Sequence, residues 1–183
     1  WTKNIGPFLS YLEEVQERGY PFIVQYTITD YPQSLESSVV NAERAASHVQ
    51  RIAEIYGPRV AVWRYDTIIF SSMTPHSVHL RNFECLAEAL EGATDEVIIS
   101  FAQIYKKTRR NLNLAAERFG FTWEDPSDDT KLNLAKKLAR IAKSRGMQLS
   151  MCGQRQYLTP GIADARCIDA PRLSDVAGRT ILA

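Results

Sequence analysis

Cysteine is scarce in this chain: Cys85, Cys152 and Cys167 are the only three among 183 residues. So sparse and odd a set argues against a disulfide scaffold and suits a reducing compartment, so a cytoplasmic setting is expected. Histidine is equally scarce. His76 and His79 stand three apart near a helix start, but no H-E-x-x-H pattern accompanies them, and solvated or capping roles are expected rather than metal binding. Long apolar runs are missing too. Val97 to Ile99 with Phe101 falls far short of the roughly 20 residues a membrane-spanning helix needs, so no membrane partner is expected. Neither sign of charge dominates: 22 Lys and Arg face 21 Asp and Glu, for a formal net charge of +1, which gives no support to a nucleic-acid partner. There is no G-x-S-x-G elbow, no Gly-rich phosphate loop and no paired C-x-x-C, so no local motif names a reaction. No signal peptide is expected, and low-complexity tracts and clear repeats are lacking.

The length suits one domain with a sizeable core. Two patterns alternate along it. Short runs rich in β-branched and aromatic residues predict strands over Pro21 to Thr29, Val60 to Tyr65, Glu96 to Phe101 and Met147 to Cys152. Each is nearly continuous in apolar residues, as in parallel strands covered by helices. Between them, helical periods predict a helix after Pro7 that stops at Gly19 and a second over about Glu36 to Tyr56. A third carries Phe83, Leu86 and Leu90, a fourth covers roughly Ala102 to Phe119, and a fifth follows Ser127 as N-cap and ends at Gly146. Strand–helix alternation with right-handed crossovers gives a parallel sheet. A (β/α) barrel and a doubly wound sheet both satisfy it. The even repeat and the missing dinucleotide loop favour the TIM-barrel-like form, as one domain over 1–183. The chain opens on "WTKN" without an initiator Met and closes on "RTILA", with no capping signal, and reads as a barrel truncated at both ends.

Either architecture binds ligands at the carboxyl ends of its strands. The stretch "RVAVWRYDTIIFS" ends a buried strand on Arg64 and Asp66, which share side-chain parity. They can pair to tie the rim together, or line a pocket in which Arg64 grips a carboxylate or phosphate and Asp66 orients it or accepts hydroxyls. Lys3, Asn4, Gln25 and Ser100 stand at other strand ends and complete the candidate binding set, against the plainer readings of a solvated end for Lys3 and interior packing for Gln25. The basic run "YKKTRRN" is a solvated helix face or a contact for an acidic ligand. Cys85, among Phe83, Leu86 and Leu90, is expected in the core. Cys152 ends a strand and Cys167 lies in "DARCIDAP" before a short helix with Asp169 as its cap. The intervening Pro-Gly turn can bring the two thiols together.

The strings "WTKN", "PFIVQYTIT", "VWRYDTIIFSS", "VIISFAQIYKKTRRNL", "MQLSMCGQ" and "ARCIDAPRLSDVAG", in this order, resemble the bacterial domain-of-unknown-function family 1848 along essentially the whole chain. The resemblance implies kinship with radical SAM enzymes, a TIM-barrel-like core and a cysteine-rich tail bearing a C-x-x-x-C-x-x-C motif preceded by a C-x-C pair. It implies a [4Fe–4S] cluster and S-adenosylmethionine as cofactors of the full-length protein, with an unidentified small-molecule substrate. The three cysteines here lack that spacing, so this chain alone is expected to be inactive. Two thiolates from the tail added to Cys152 and Cys167 would make a four-cysteine metal site. The rival readings are a barrel that binds a small molecule or nucleic acid without radical chemistry and carries a structural metal, and an aldolase or isomerase using Lys3 and Asp66.

Overall fold

The computed structural model describes residues 1–181. Seven strands and six α-helices follow one another: α1 (Leu9–Glu17), β1 (Val24–Thr27), α2 (Ala42–Tyr56), β2 (Ala61–Ile68), β3 (Phe70–Ser71), α3 (His76–Ala89), β4 (Glu96–Phe101), α4 (Lys106–Phe119), β5 (Trp123–Glu124), α5 (Asp128–Ser144), β6 (Gln148–Met151), β7 (Ile162–Asp164) and α6 (Ala170–Ala177). Five strands form one sheet in the order β1-β2-β4-β6-β7, and every neighbouring pair is parallel. β3 and β5 pair antiparallel in a separate two-stranded ribbon. The expected parallel α/β architecture is therefore present, with its main strands adjacent in chain order. The expected barrel is not closed: among the described residues the sheet stops at β1 and β7, an open α/β sheet that a Rossmann-like description fits equally well.

The register divides the sheet into two unlike faces. Tyr26, Trp63, Val97 and Leu149 share one side, as do Tyr65, Ile99 and Met151, and they join Val49, Ile52, Phe83, Leu134 and Leu138 of the helices in a single apolar core. The alternate residues face the other way: Gln25 and Thr27, Val62 and Arg64, Glu96, Ile98 and Ser100, Gln148 and Ser150. That second face is layered. Half-buried Glu96 stands at its amino end and accepts from Ser150 Oγ at 2.6 Å. Val62 and Ile98 make an apolar middle, each 2% exposed. Arg64 and Ser100 lie toward its carboxyl end, and Gln25, in register with Val62, reaches Arg64 from β1.

The amino end is sealed by α6. Asp169 caps it as expected, accepting from Arg172 N at 3.0 Å. Arg172 is buried and donates to the Arg59 carbonyl and Glu96 Oε2 at 2.8 Å each, and pairs with Asp95. Nothing in the sequence pattern around Arg172 announces a buried cation.

Three local expectations are corrected. The second helix begins at Ala42, not Glu36, because Asn41 caps it by accepting from Arg44 N at 2.9 Å. Cys85 is exposed: two positions from buried Phe83 is about 200° around a helix, which turns it away from the core. His79 is fully buried rather than solvated. Its Nε2 faces the Ile69 carbonyl at 3.1 Å and must carry the proton, so its bare Nδ1 accepts from the Tyr65 hydroxyl at 3.1 Å.

This neutral tautomer has a pH consequence. Burial chiefly lowers the His79 pKa to about 4, assisted by the neighbouring His76 and opposed by the Ile69 carbonyl. The folded pKa lies below the unfolded one, so the unfolded chain takes up the proton first as pH falls. Stability is unaffected above about pH 6.5, then declines from there toward pH 4. The expected loss at His79 is roughly 2 kcal/mol by pH 5. Burial moves His48 and His76 in the same direction. Urea denaturation at pH 7 and pH 5 should show the wild-type midpoint falling by more than that of His79→Gln; equal shifts would refute the assignment.

Candidate functional site

At the carboxyl end of the polar face, one guanidinium gathers residues from three strands and two loops. Arg64 Nη1 donates to Gln25 Oε1 at 2.6 Å, across the β1–β2 seam. Its Nε donates to Asp66 Oδ1 at 3.1 Å, and Nη2 donates to Asp66 Oδ2, so the carboxylate is gripped at both oxygens. The side chains of Arg64 and Asp66 are 7% and 9% exposed, which makes this a buried ion pair rather than a rim decoration. Ser100 Oγ on β4 donates to Asp66 Oδ2 at 3.4 Å. The Trp1 ring lies over the guanidinium, 4.7 Å from Cζ to ring centroid. Burial acts against the Arg64 charge, but the hydrogen bonds and charge of Asp66, with Cys152 adding to them, hold its pKa above the ordinary value.

The geometry realises the pairing that shared parity allowed, so a ligand approaching Arg64 must share or displace partners already in place. Asp66 occupies two of the guanidinium's donors and Gln25 a third.

The two late cysteines complete the cluster. Cys152 follows β6, its N–H donating to the Ile99 carbonyl at 2.9 Å. Cys167 sits on the loop before α6. That loop is tied down by Ala165 N donating to the Met151 carbonyl at 2.9 Å and by Gln25 Nε2 donating to the Cys167 carbonyl at 3.3 Å. The two Sγ atoms lie 3.9 Å apart. Burial raises the Cys167 thiol pKa, with Cys152 and Asp66 adding to the rise and Arg64 opposing it. Cys152 is half-buried and Cys167 exposed, so one side of the pair is open.

Beside the cluster is a cavity of about 440 Å³, lined by Thr67, Ser100, Gln103, Thr108, Cys152 and Gln154 among others. It lies where strand-end residues of β4 and β6 meet the first turn of α4. Gln154 shapes its floor. Its side chain accepts from Phe101 N at 2.7 Å and donates to the Phe101 carbonyl at 3.1 Å, as a neighbouring strand would. The basic run is positioned at this mouth, with Tyr105 and Thr108 on the cavity wall and Lys106 and Lys107 exposed.

Lys3 and Asn4 stand apart from this group. Exposed Lys3 pairs with Glu36, which also accepts from the Thr29 hydroxyl. Asn4 Oδ1 accepts from Gly6 N at 3.0 Å and turns the chain into the first helix. Of the expected binding residues, Gln25, Arg64, Asp66 and Ser100 are thus brought together, while Lys3 and Asn4 are held by other partners. Among the described residues no three His, Cys, Asp or Glu side chains are grouped to hold a metal ion.

The model of the family described as Domain of unknown function (DUF1848) matches residues 1–182, and the chain belongs to that family. No curated protein and no solved structure matches it.

A buried ion pair is costly to break from one side. Arg64→Met strands the Asp66 carboxylate and is expected to destabilise the fold by about 3–5 kcal/mol. Adding Asp66→Asn removes the stranded charge and should recover most of that loss. A double-mutant cycle by urea denaturation checks this. Additive costs of the two substitutions would mean the pair is not coupled in the folded chain.

Proposed function

From this family membership and the site's geometry, we propose that the chain is the ligand-holding α/β body of a radical SAM-like enzyme. Its own residues bind a small polar molecule at the carboxyl end of the sheet. The observation that carries the reading is the placement of the 440 Å³ cavity against Ser100 and Cys152, with the Arg64–Asp66 pair one hydrogen bond beyond Ser100, at strand ends of a parallel sheet. The radical class rests on the family resemblance alone.

Each residue has a physical part in this reading. Ser100 Oγ and Gln103 offer hydrogen bonds from the cavity wall. Asp66, fixed by Arg64, keeps a carboxylate beside the mouth in one orientation, able to receive a hydroxyl without first ordering a side chain. Exposed Lys106 and Lys107 favour ligands carrying a carboxylate or phosphate.

The resemblance also implies a [4Fe–4S] cluster with S-adenosylmethionine. The cysteines of this chain do not fit that cluster. Only Cys152 and Cys167 are together, fifteen residues apart in sequence, and Cys85 is exposed on α3. No chemical step is therefore assigned to a cluster. A second reading, a binding domain without radical chemistry that carries a structural metal, is favoured by the same thiol pair.

S-adenosylmethionine is a suitable probe because it carries both a carboxylate and ribose hydroxyls. Saturation-transfer NMR should show it in contact with the chain, and Ser100→Trp, which fills the cavity, should reduce the transfer at least tenfold. Equal transfer in the variant, or none in the wild type, contradicts the site. The radical class is judged separately, on protein carrying the cysteine-rich tail. After anaerobic reconstitution with iron and sulfide, reductive cleavage of S-adenosylmethionine supports it, and an intact cofactor supports the second reading.

A further inference from the structure

Two thiols 3.9 Å apart are too distant to be bonded and too close to be unrelated. The spacing has a specific meaning in coordination chemistry. Two sulfurs bound to one ion at about 2.3 Å, at a tetrahedral angle, are separated by about 3.8 Å. We propose that Cys152 and Cys167 chelate a single thiophilic divalent cation of the zinc or iron(II) class, as two of its four ligands. This goes beyond the ligand-binding reading and does not depend on it.

Backbone bonds hold both sulfurs in place before any ion arrives. Cys152 is fixed by its N–H on the Ile99 carbonyl, and the Cys167 loop by Ala165 on Met151 and Gln25 on the Cys167 carbonyl. Little ordering entropy remains to be lost on binding. Arg64 adds charge compensation, because its guanidinium acts electrostatically on both thiols. Asp66 is not a third ligand, because Arg64 holds both its oxygens. With no third donor grouped there among the described residues, the other two positions face the open side of Cys167, where water or ligands from another segment can complete the tetrahedron. Binding involves no change of oxidation state. Two thiols lose their protons to solvent and two metal–sulfur bonds form.

Cobalt(II) is the probe, added anaerobically to the reduced 183-residue chain. The expected result is one cobalt per chain, with thiolate-to-cobalt charge-transfer absorption in the near ultraviolet that zinc(II) abolishes by displacement. Cys152→Ser and Cys167→Ser should each lose that absorption while keeping wild-type circular dichroism, and Cys85→Ser should retain it. Should either variant fail to fold, zinc must still slow alkylation of Cys152 and Cys167 at least tenfold in the wild type without protecting Cys85. Three results overturn the proposal: no charge-transfer band in folded, reduced wild type; a band that survives in folded Cys152→Ser or Cys167→Ser; or zinc that leaves alkylation of all three thiols unchanged.

Discussion

A guanidinium buried in the polar face of a parallel sheet is the constraint on which the upper half of this molecule depends. Taking Arg64 out of water costs several kcal/mol unless its donors are filled. They are filled by residues from different parts of the chain: Asp66 from its own strand and Gln25 from the next, with Trp1 stacked above. Those partners are then committed in turn. Asp66 receives Ser100, and Gln25 holds the Cys167 carbonyl. One buried charge thereby sets the position of β1, β2, β4 and the loop before α6. The same logic governs the amino end through Arg172, which is buried against Glu96, Asp95 and the Arg59 carbonyl. Two ionic layers with Val62 and Ile98 between them occupy the face opposite the apolar core.

This arrangement separates stability from function along a single strand. In β2, Trp63 and Tyr65 point to the apolar core, while Arg64 between them points to the polar end. Alternation of side chains lets one short stretch serve both purposes. The strands that carry Ser100 and lead into Cys152 bury Ile99 and Met151 in the apolar core on their other face. Such backing is expected of a binding site that must keep its shape.

Much of the fold was legible in the sequence, for identifiable reasons. The long strands announced themselves because their apolar face needs Val, Ile and aromatic residues in near-continuous runs. Ser127 and Asp169 stood out as caps because their side chains satisfy exposed N–H groups, and the structure has them doing so. β7 was missed: three residues, Ile-Ala-Asp, after a Pro-Gly turn carry too little pattern to stand out. The start of α2 was placed too early because Val39 matches the helical phase, although Asn41 fixes the true boundary. Cys85 and His79 were each assigned the other's environment, since neither residue type declares its burial and only the partners Tyr65 and Ile69 explain His79. The closeness of Cys152 and Cys167 was legible from a strand end and a turn. The buried role of Arg172 was not, because its carboxylate partners lie some 75 residues away in sequence.

The central claim is that Arg64 is a buried hub held by Asp66, and its Nε–H reports on that directly. The measurement is the hydrogen-exchange rate of this group, by nitrogen-15 NMR on the labelled chain near neutral pH. The account predicts slow exchange relative to exposed arginines such as Arg166, with protection lost in Asp66→Ala. Exchange as fast as that of Arg166 in the wild type would contradict it.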